Sequence, residues 1–288
     1  MSAPTVRRRR LGGRLRELRG SLTLDDVAER SGGKFGTHKL SRLETAKVAA
    51  KQQDIDELLS LYAELGREID DELRAALLAL TKESVQRGWW HSYRGVISPA
   101  YEDLISLEAE ATCAKCWQLG AIPGLLQTSE YAREIIKATA MSDDIQAKVD
   151  ALVEVRLARQ AVLTRENPLK LWVVIAEGAL RTRTADLSVM DEQLSRLLAM
   201  GKRPNIDIQV LRSDAPLHVG QVGSFSILGF DDHNDLDVVH TEMLTAAATY
   251  VEQRQEVAMY RDAAQRLAAV AESVERSAEM ITEIRKAL

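Results

Sequence analysis

The sequence LGGRLRELRGSLTLDDVAERSGGKFGTHKLSRLE, residues 11–44, has the apolar spacing of one longer helix followed by two short ones. The inward positions are Leu11, Leu15, Leu18, Val27, Ala28, Leu40 and Leu43. Thr23 is placed to cap the second helix, with acidic residues in the first turn behind it. A Gly32-Gly33 turn separates the second helix from the third. The stretch therefore predicts a helix-turn-helix.

The third predicted helix, residues 36–44, has a polar and basic outer face. That face carries Thr37, His38, Lys39, Ser41 and Arg42. A short helix with a cationic, hydrogen-bonding outer side suits the major groove of DNA. We therefore expect residues 37–42 to contact bases and Lys34 to contact a phosphate, although His38 is equally consistent with a solvated position. The alternative for the whole segment is a small helical bundle that binds protein.

Charge is distributed unevenly along the chain. Residues 1–50 hold 12 Lys or Arg and 5 Asp or Glu, a net charge of +7, whereas the whole chain carries −5 and the remainder therefore −12. A basic segment on an acidic body is expected where only one end approaches phosphates. Residues 1–10 are predicted to form a basic arm that contacts phosphates or the minor groove, or else a solubilising tail. The candidate contacts of this arm are Arg7, Arg8, Arg9 and Arg10.

Three strings of this segment resemble the repressor-type (XRE) helix-turn-helix family. They are RLRELR at 14–19, LTLDDVAER at 22–30 and KLSRLE at 39–44. The resemblance implies a bundle of four or five helices, in which Glu44 binds back to an arginine of the first helix, Arg19. The chain departs from the family in the lengths of the loops around the second helix and in Leu24, where many members have glutamine.

The length of the chain, 288 residues of which 45% are hydrophobic, is sufficient for two domains. We assign residues 11–66 to a helix-turn-helix domain, residues 67–86 to a connecting helix and residues 87–288 to a regulatory or partner-binding domain. No apolar run approaches the ~20 residues of a membrane span, and no apolar signal region follows the first arginines. We therefore expect a cytoplasmic protein that does not contact membranes.

The sequence contains no phosphate-binding loop, nucleophile elbow or H-E-x-x-H motif. The five histidines lack the spacing of metal ligands, so we expect no enzymatic activity, cofactor or metal. Cys113 and Cys116 form one C-x-x-C without the further ligands of a zinc site. They are either a redox pair or, as we favour, two small thiols in a core.

A second resemblance covers nearly the whole chain. Its strings are WWHSY at 89–93, LEAEA at 107–111, IPGLLQTSEYA at 122–132, VRLARQ at 155–160, EGALR at 177–181, PNIDIQVL at 204–211, GSFSIL at 223–228 and VVHTE at 238–242. Together they resemble the WhiJ-like or Scr1-family antitoxin-like regulators of actinobacteria. That resemblance implies a transcriptional regulator that binds double-stranded DNA and is often modulated by a small protein encoded nearby. The alternatives are an interaction protein that mainly sequesters such a partner, and a ligand-gated sensor.

The second domain is predicted to mix helices and strands. Helices are expected at 100–116, 128–140, 143–165 and 186–200, and strands at 170–176, 206–211, 224–230 and 236–241, with a hairpin connection at 231–235. The fold class is therefore mostly α, with a helix-turn-helix bundle followed by an α+β domain. This domain is expected to contain a small, largely antiparallel sheet and a long C-terminal helix.

Aromatic residues of the second domain are candidates for a partner or ligand pocket, or for core packing. They are Trp89, Trp90, Tyr93, Trp117 and His218.

The C-terminal region has an apolar stripe at alternating spacings of three and four. Its members are Val257, Tyr260, Ala264, Leu267, Ala271, Val274, Ala278 and Ile281. The stripe is either a dimer seam or the inner face of a helix that packs on its own domain. We expect a homodimer in either case, because helix-turn-helix proteins commonly bind two half-sites.

Overall fold

The computed structural model describes residues 6–81, 89–230, 237–242 and 248–288. The chain divides into two compact units, residues 1–87 and residues 88–288. The predicted fold class is confirmed, since a helical N-terminal unit is followed by an α+β unit. The predicted hairpin at 231–235 lies outside the described residues.

Helices build the N-terminal unit. They are α1 (Val6–Arg19), α2 (Leu24–Arg30), α3 (Thr37–Glu44), α4 (Gln52–Glu64) and α5 (Asp71–Thr81). Helix α1 packs against α3 and α5, α2 packs against α3, and α4 packs against α5. The two short helices that the sequence predicts as part of a helix-turn-helix are therefore α2 and α3.

The prediction that Arg7–Arg10 belong to a basic arm is wrong. Arg7 to Arg10 lie inside α1, which begins at Val6. The Val6 side chain is buried, with 2% of its surface exposed. Arginine has a high helix propensity, and the apolar face of α1 extends one turn earlier than the leucine stripe suggests. The first helix of the bundle therefore includes this run.

The predicted connecting helix is part of the N-terminal bundle. Leu73 and Leu77 of α5 are buried. Arg74 of α5 donates from Nη1 to Oδ1 of Asp56 at 2.5 Å and to Oγ of Ser60 at 3.2 Å, both in α4. The bundle therefore continues through Thr81 and beyond the boundary expected at residue 66.

A six-stranded mixed sheet forms the centre of the second unit. Its strands are β1 (Cys113–Gln118), β2 (Lys170–Ala176), β3 (Ile206–Leu211), β4 (Phe225–Gly229), β5 (Val238–Glu242) and β6 (Ala248–Val251). The order is β3-β2-β1-β4-β5-β6, with β1–β2 and β2–β3 parallel and the other three pairs antiparallel. The four predicted strands are present, and β1 and β6 are additional.

Eight helices surround the sheet in the described part of this unit. They are α6 (Pro99–Glu110), α7 (Ser129–Thr139), α8 (Asp143–Ala147), α9 (Val149–Arg159), α10 (Glu177–Leu180), α11 (Leu187–Met200), α12 (Arg254–Val270) and α13 (Val274–Lys286). Helices α7 and α11 confirm the predictions at 128–140 and 186–200. The predicted helix 100–116 is wrong beyond Glu110, because the following residues pair with β2 and β4 as strand β1. The predicted helix 143–165 is interrupted at Lys148 and gives way to a 3₁₀ turn after Arg159.

The single long C-terminal helix predicted from the sequence is two helices. Helix α12 ends at Val270, and Ser273 caps α13. The backbone N–H of Glu272 donates to Val210 of β3 at 2.9 Å, and Gln209 donates from Nε2 to the carbonyl of Glu272 at 2.8 Å. These bonds to an edge strand hold the chain extended between the helices. The break therefore arises from tertiary contacts.

The C-terminal apolar stripe packs mainly on its own unit. Val257 and Leu267 of α12 are buried in a cluster with Trp117 and Phe225 of the sheet. Ile281 of α13 is also buried. These residues therefore form the inner face of helices that pack on their own domain, as one of the two alternatives predicted. Ala278 of the stripe is exposed.

Candidate nucleic-acid interface

Helix α2 begins with the capping arrangement that the sequence predicts. The backbone N–H of Asp26 donates to Oγ1 of Thr23 at 3.1 Å, and the backbone N–H of Thr23 donates to Oδ2 of Asp26 at 2.7 Å. The hydrogen bond from the Thr23 hydroxyl lowers the pKa of Asp26. These reciprocal bonds satisfy amides that a helix start leaves unpaired, and they fix the start of α2.

The predicted bond between Arg19 and Glu44 is confirmed. Nε of Arg19 donates to Oε1 of Glu44 at 2.7 Å, and Nη2 donates to Oε2 at 3.0 Å. The Glu44 side chain is 6% exposed and raises the pKa of Arg19 through this bond. A bidentate pair restricts rotation as well as distance. It therefore fixes the end of α3 against α1.

Gly12 allows the backbone of α1 to approach the end of α3 closely. The sequence did not lead us to predict this contact. A Cβ at Gly12 would lie 2.6 Å from the carbonyl oxygen of Glu44 and 2.7 Å from that of Leu43. A Cβ at the adjacent Gly13 would meet nothing within 4 Å. The sequence signal for this contact was a glycine beside the leucine stripe of a helix, because glycine is unfavourable inside a helix unless close packing requires it. Gly12 therefore sets the position of the candidate recognition helix.

The outer face of α3 presents two predicted contact residues to solvent. His38 and Arg42 are exposed, whereas Leu40 and Leu43 are buried. At 100° per residue, the two exposed side chains point away from the two leucines. Thr37 and Ser41 are half-buried at the side of this face.

The turn after α3 adds exposed polar side chains that the sequence reasoning did not select. Thr45 is exposed and donates from Oγ1 to the Ser41 carbonyl at 2.6 Å. Ala46 has a φ of 57°, and the exposed Lys47 follows it. A left-handed residue reverses the backbone after a helix and exposes the next side chain. Thr45 and Lys47 therefore extend the exposed face of α3.

Two predicted lysine contacts are bound within the bundle. Nζ of Lys34 lies 2.6 Å from Oε2 of Glu57, and Nζ of Lys39 lies 2.8 Å from Oδ1 of Asp54. Both acids belong to α4, and Lys39 also lies 4.9 Å from the centre of the Phe35 ring. A phosphate at either lysine would compete with these carboxylates. The exposed face is therefore centred on His38 and Arg42.

The arginine run of α1 is less accessible than an arm would be. Arg10 is buried at 6% exposure, and Arg7, Arg8 and Arg9 are half-buried. A buried guanidinium cannot approach a phosphate without displacing its protein neighbours. Arg7, Arg8 and Arg9 are therefore better candidates than Arg10 for contacts with phosphates.

The aromatic candidates of the second unit belong to two separate clusters. Trp89, Trp90 and Tyr93 lie in a 3₁₀ turn, with Trp89 edge-on to Trp90 at 5.9 Å. Trp117 is buried elsewhere, donates from Nε1 to the Gly220 carbonyl at 2.8 Å and lies 5.5 Å from the His218 ring. The two clusters do not form a common pocket.

The two cysteines lie on β1 as free thiols. Residues three apart in a strand point to opposite faces and are separated by roughly 10 Å, beyond the reach of a disulfide. Burial raises the pKa of the Cys116 thiol to about 11. A disulfide between them is therefore excluded in this conformation, and both thiols are half-buried on the strand.

Buried amides hold the distinctive Pro123–Thr128 segment in place. Gln127 donates from Nε2 to the Ile122 carbonyl at 2.6 Å, and Gln160 donates to the carbonyls of Gly124 and Gln127 at 3.1 and 2.8 Å. Gln193 donates to Leu126 at 2.9 Å and accepts from the Thr128 N–H at 2.7 Å. A polar cavity of about 490 Å³ adjoins this segment, lined by Gln127, Thr128, Ser129, Leu157, Gln160, Glu192, Ser195, Arg196 and Ala199.

A buried ion pair lies between α6 and α9. Nε of Arg159 lies 2.7 Å from Oε2 of Glu108, and Nη1 of Arg159 donates to the Tyr101 hydroxyl at 2.8 Å. Burial raises the pKa of Glu108 to about 7, and Arg159 opposes that shift. Burial also lowers the pKa of His240 on β5 to about 4.

Replacing His240 by glutamine is expected to remove a pH-dependent contribution to the stability of the second unit. A depressed histidine pKa means that the unfolded chain binds more protons, so the stabilisation is present above pH 6.5 and is lost as pH falls toward 4. The difference in unfolding free energy between wild type and His240→Gln should therefore shrink across that interval. Urea unfolding followed by tryptophan fluorescence measures it, because all four tryptophans lie in this unit. A difference that is equal at every pH would contradict the assignment.

In the parts of the chain that the structure describes, no three His, Cys, Asp or Glu side chains come together as they would around a metal ion. Among those same residues, no helix has both the length and the apolar character needed to cross a membrane.

Comparison with protein families gives one match. Residues 101–283, more than half of the chain, match the model described as "Domain of unknown function (DUF5753)". Searches of curated proteins and of solved structures found no match. The matched range spans the sheet, the buried ion pair and the Pro123–Thr128 segment, and the helices α1–α5 precede it. The chain therefore belongs to the DUF5753 family.

Proposed function

We propose that this chain is a sequence-specific DNA-binding transcriptional regulator. The observation that carries the proposal is the exposed face of α3, where His38 and Arg42 project from a helix fixed by the bidentate Arg19–Glu44 pair. A recognition helix must hold its side chains in a defined register against base edges, and a rigid attachment supplies that register. The net charge of +7 in residues 1–50 supports an approach to phosphates.

The exposed side chains of α3 have distinct roles in this proposal. Arg42 presents a planar fork of donors that can bind O6 and N7 of a guanine together. His38 and Thr45 lie beside it and contact neighbouring bases or phosphates. Lys47 and the half-buried Arg7–Arg9 bind phosphates, which adds affinity without sequence preference.

In this proposal the DUF5753 unit regulates the N-terminal unit through a small protein partner or a ligand. In the ligand-gated alternative, the polar hollow of about 490 Å³ beside the Pro123–Thr128 segment is the candidate ligand site. The antitoxin-like alternative, sequestration of a small partner protein, requires no DNA binding at all. In this proposal the protein acts in the cytoplasm and has no catalytic role.

Selection from a pool of random DNA duplexes tests the proposal. The full chain and residues 1–81 are each used to enrich the pool, and the recovered duplexes are sequenced. We expect both proteins to enrich the same short motif, because the described bundle is complete by Thr81. Absence of enrichment with both proteins would favour the sequestering alternative.

Replacing Arg42 by alanine is expected to weaken binding to the selected duplex by about 10- to 100-fold, because one good bidentate base contact contributes ~1–3 kcal/mol of discrimination. Fluorescence anisotropy with the full chain measures the dissociation constants. Arg203→Ala removes an exposed arginine after α11 and is the matched control, expected to bind like wild type. Equal affinity of the Arg42 variant and the control would exclude α3 as the recognition helix.

A further inference from the structure

Two acidic side chains of α4 face the lysines beside the candidate recognition helix. Asp54 lies in the first turn of α4, and Glu57 follows three residues later on the same side of the helix. Both acids are half-buried. Asp54 binds Lys39 of α3, and Glu57 binds Lys34 in the turn before α3. One face of α4 therefore holds two cations that lie next to the exposed face of α3.

The carboxylate of Glu57 is held at both of its oxygens. Oε2 is shielded from solvent and lies 2.6 Å from Nζ of Lys34. Oε1 accepts a hydrogen bond from Nε2 of Gln53, one turn earlier in α4, at 3.2 Å. The Lys34 ammonium lowers the pKa of Glu57, so the carboxylate is charged at neutral pH. If Lys34 moved to a phosphate, a shielded carboxylate oxygen would lose its partner, which costs free energy.

Lys39 is held by a carboxylate and by an aromatic ring. Its Nζ donates to Oδ1 of Asp54 at 2.8 Å and lies 4.9 Å from the centre of the Phe35 ring. Phe35 is buried, so its ring is a fixed surface for the ammonium. The start of α4 also favours the negative charge of Asp54, because the helix dipole is positive there. These contacts keep the Lys39 ammonium directed toward α4.

The two carboxylates occupy the positions that DNA phosphates would take at these lysines. Each lysine that neutralises a phosphate adds to the affinity for DNA of any sequence and to its dependence on salt. A lysine bound to an acid of its own bundle must first give up that contact. Arg42 and Lys47, in contrast, are exposed.

We propose that Asp54 and Glu57 are internal competitors for DNA phosphates, which withhold Lys39 and Lys34 from the DNA backbone. This role rests on the proposed DNA binding and concerns the same face of the N-terminal unit. Phosphate contacts carry no sequence information, so the competitors lower the affinity for all DNA sequences alike. The protein then leaves unselected DNA more readily, and the choice of sequence depends on the exposed side chains of α3.

Fluorescence anisotropy of the full chain with a labelled duplex of scrambled sequence, over a range of salt concentrations, tests the proposal. The double variant Asp54→Asn with Glu57→Gln releases both lysines. Each released lysine should raise the affinity roughly two- to fivefold, the range for breaking an exposed ion pair. The plot of log affinity against log salt should become steeper by about two, because two more phosphates are neutralised. Affinity and salt dependence equal to those of wild type would overturn the proposal.

Two comparisons separate the release of the lysines from a change in net charge. Glu64→Gln with Glu68→Gln removes the same charge from exposed positions at and beyond the other end of α4, and it should leave the salt dependence unchanged. In a chain that carries Lys34→Met and Lys39→Met, the substitutions at Asp54 and Glu57 should give no gain. A full gain in either comparison would show a general charge effect and would contradict the proposal.

A measurement without DNA tests the Lys34–Glu57 pair itself. The pKa of Glu57, followed by NMR of its carboxyl carbon in the full chain, should lie below the ordinary glutamate value, and Lys34→Met should raise it. A Glu57 pKa that does not respond to Lys34→Met would overturn the pair and the proposal with it. Neither this titration nor binding to a scrambled duplex requires a preferred sequence, so a failure of sequence-specific recognition would leave both outcomes interpretable.

Discussion

Gly12→Ala is expected to destabilise the N-terminal unit by about 2–3 kcal/mol, within the range for overpacking a well-packed contact. The new Cβ would lie 2.6 and 2.7 Å from two backbone carbonyl oxygens at the end of α3. Backbone atoms cannot move aside as the end of a flexible side chain can, so the helices must separate. Separation would also lengthen the Arg19–Glu44 bonds, and DNA affinity should fall with stability.

Gly13→Ala is the matched control for this substitution. The two glycines are adjacent in α1, but a Cβ at Gly13 meets nothing within 4 Å. Alanine there should stabilise the helix by roughly 0.5–1 kcal/mol, because glycine is the poorer helix former. Hydrogen exchange of amides in α1 and α3 of the full chain measures both effects. Equal protection in the two variants would contradict the close approach of α3.

Arg159→Met is expected to cost about 3–5 kcal/mol of stability in the second unit, because removing one partner of a buried pair leaves an uncompensated charge. Glu108 is 5% exposed and its carboxylate faces Arg159 at 2.7 Å. Without the arginine, the pKa of Glu108 should rise above its present value of about 7. Urea unfolding followed by tryptophan fluorescence measures the loss.

The double variant Glu108→Leu with Arg159→Met separates the ion pair from simple packing. Replacing both partners removes the unpaired carboxylate, so the double variant should be more stable than Arg159→Met alone. If the double variant is no more stable than the single one, the cost comes from lost packing of the long Arg159 side chain.

The local features of the helix-turn-helix could be predicted from the sequence. Thr23 caps α2, Leu40 and Leu43 face inward, and Arg19 binds Glu44. These features were predictable because each depends on residue types at helical spacing or on a resemblance carried by such spacing. The strands β2 and β3 were also evident, since runs of β-branched residues separate helical stretches there.

Features that depend on distant contacts could not be predicted. Cys113–Gln118 forms a central strand because β2 and β4 pair with both of its edges, and its own composition favours no strand. The sequence predicted a phosphate contact for Lys34 and a base contact for Lys39, but the acids that bind these lysines lie in α4. The break between α12 and α13 likewise depends on bonds to β3.

The account rests on sequence-specific DNA binding by the N-terminal unit. The most direct test is the ratio of dissociation constants of the full chain for the selected duplex and for a scrambled duplex of equal length, both at physiological salt. We predict that the selected duplex binds at least about 10³-fold more tightly, the usual lower bound for specific binding. Equal affinity for the two duplexes, or binding to neither, would contradict the account.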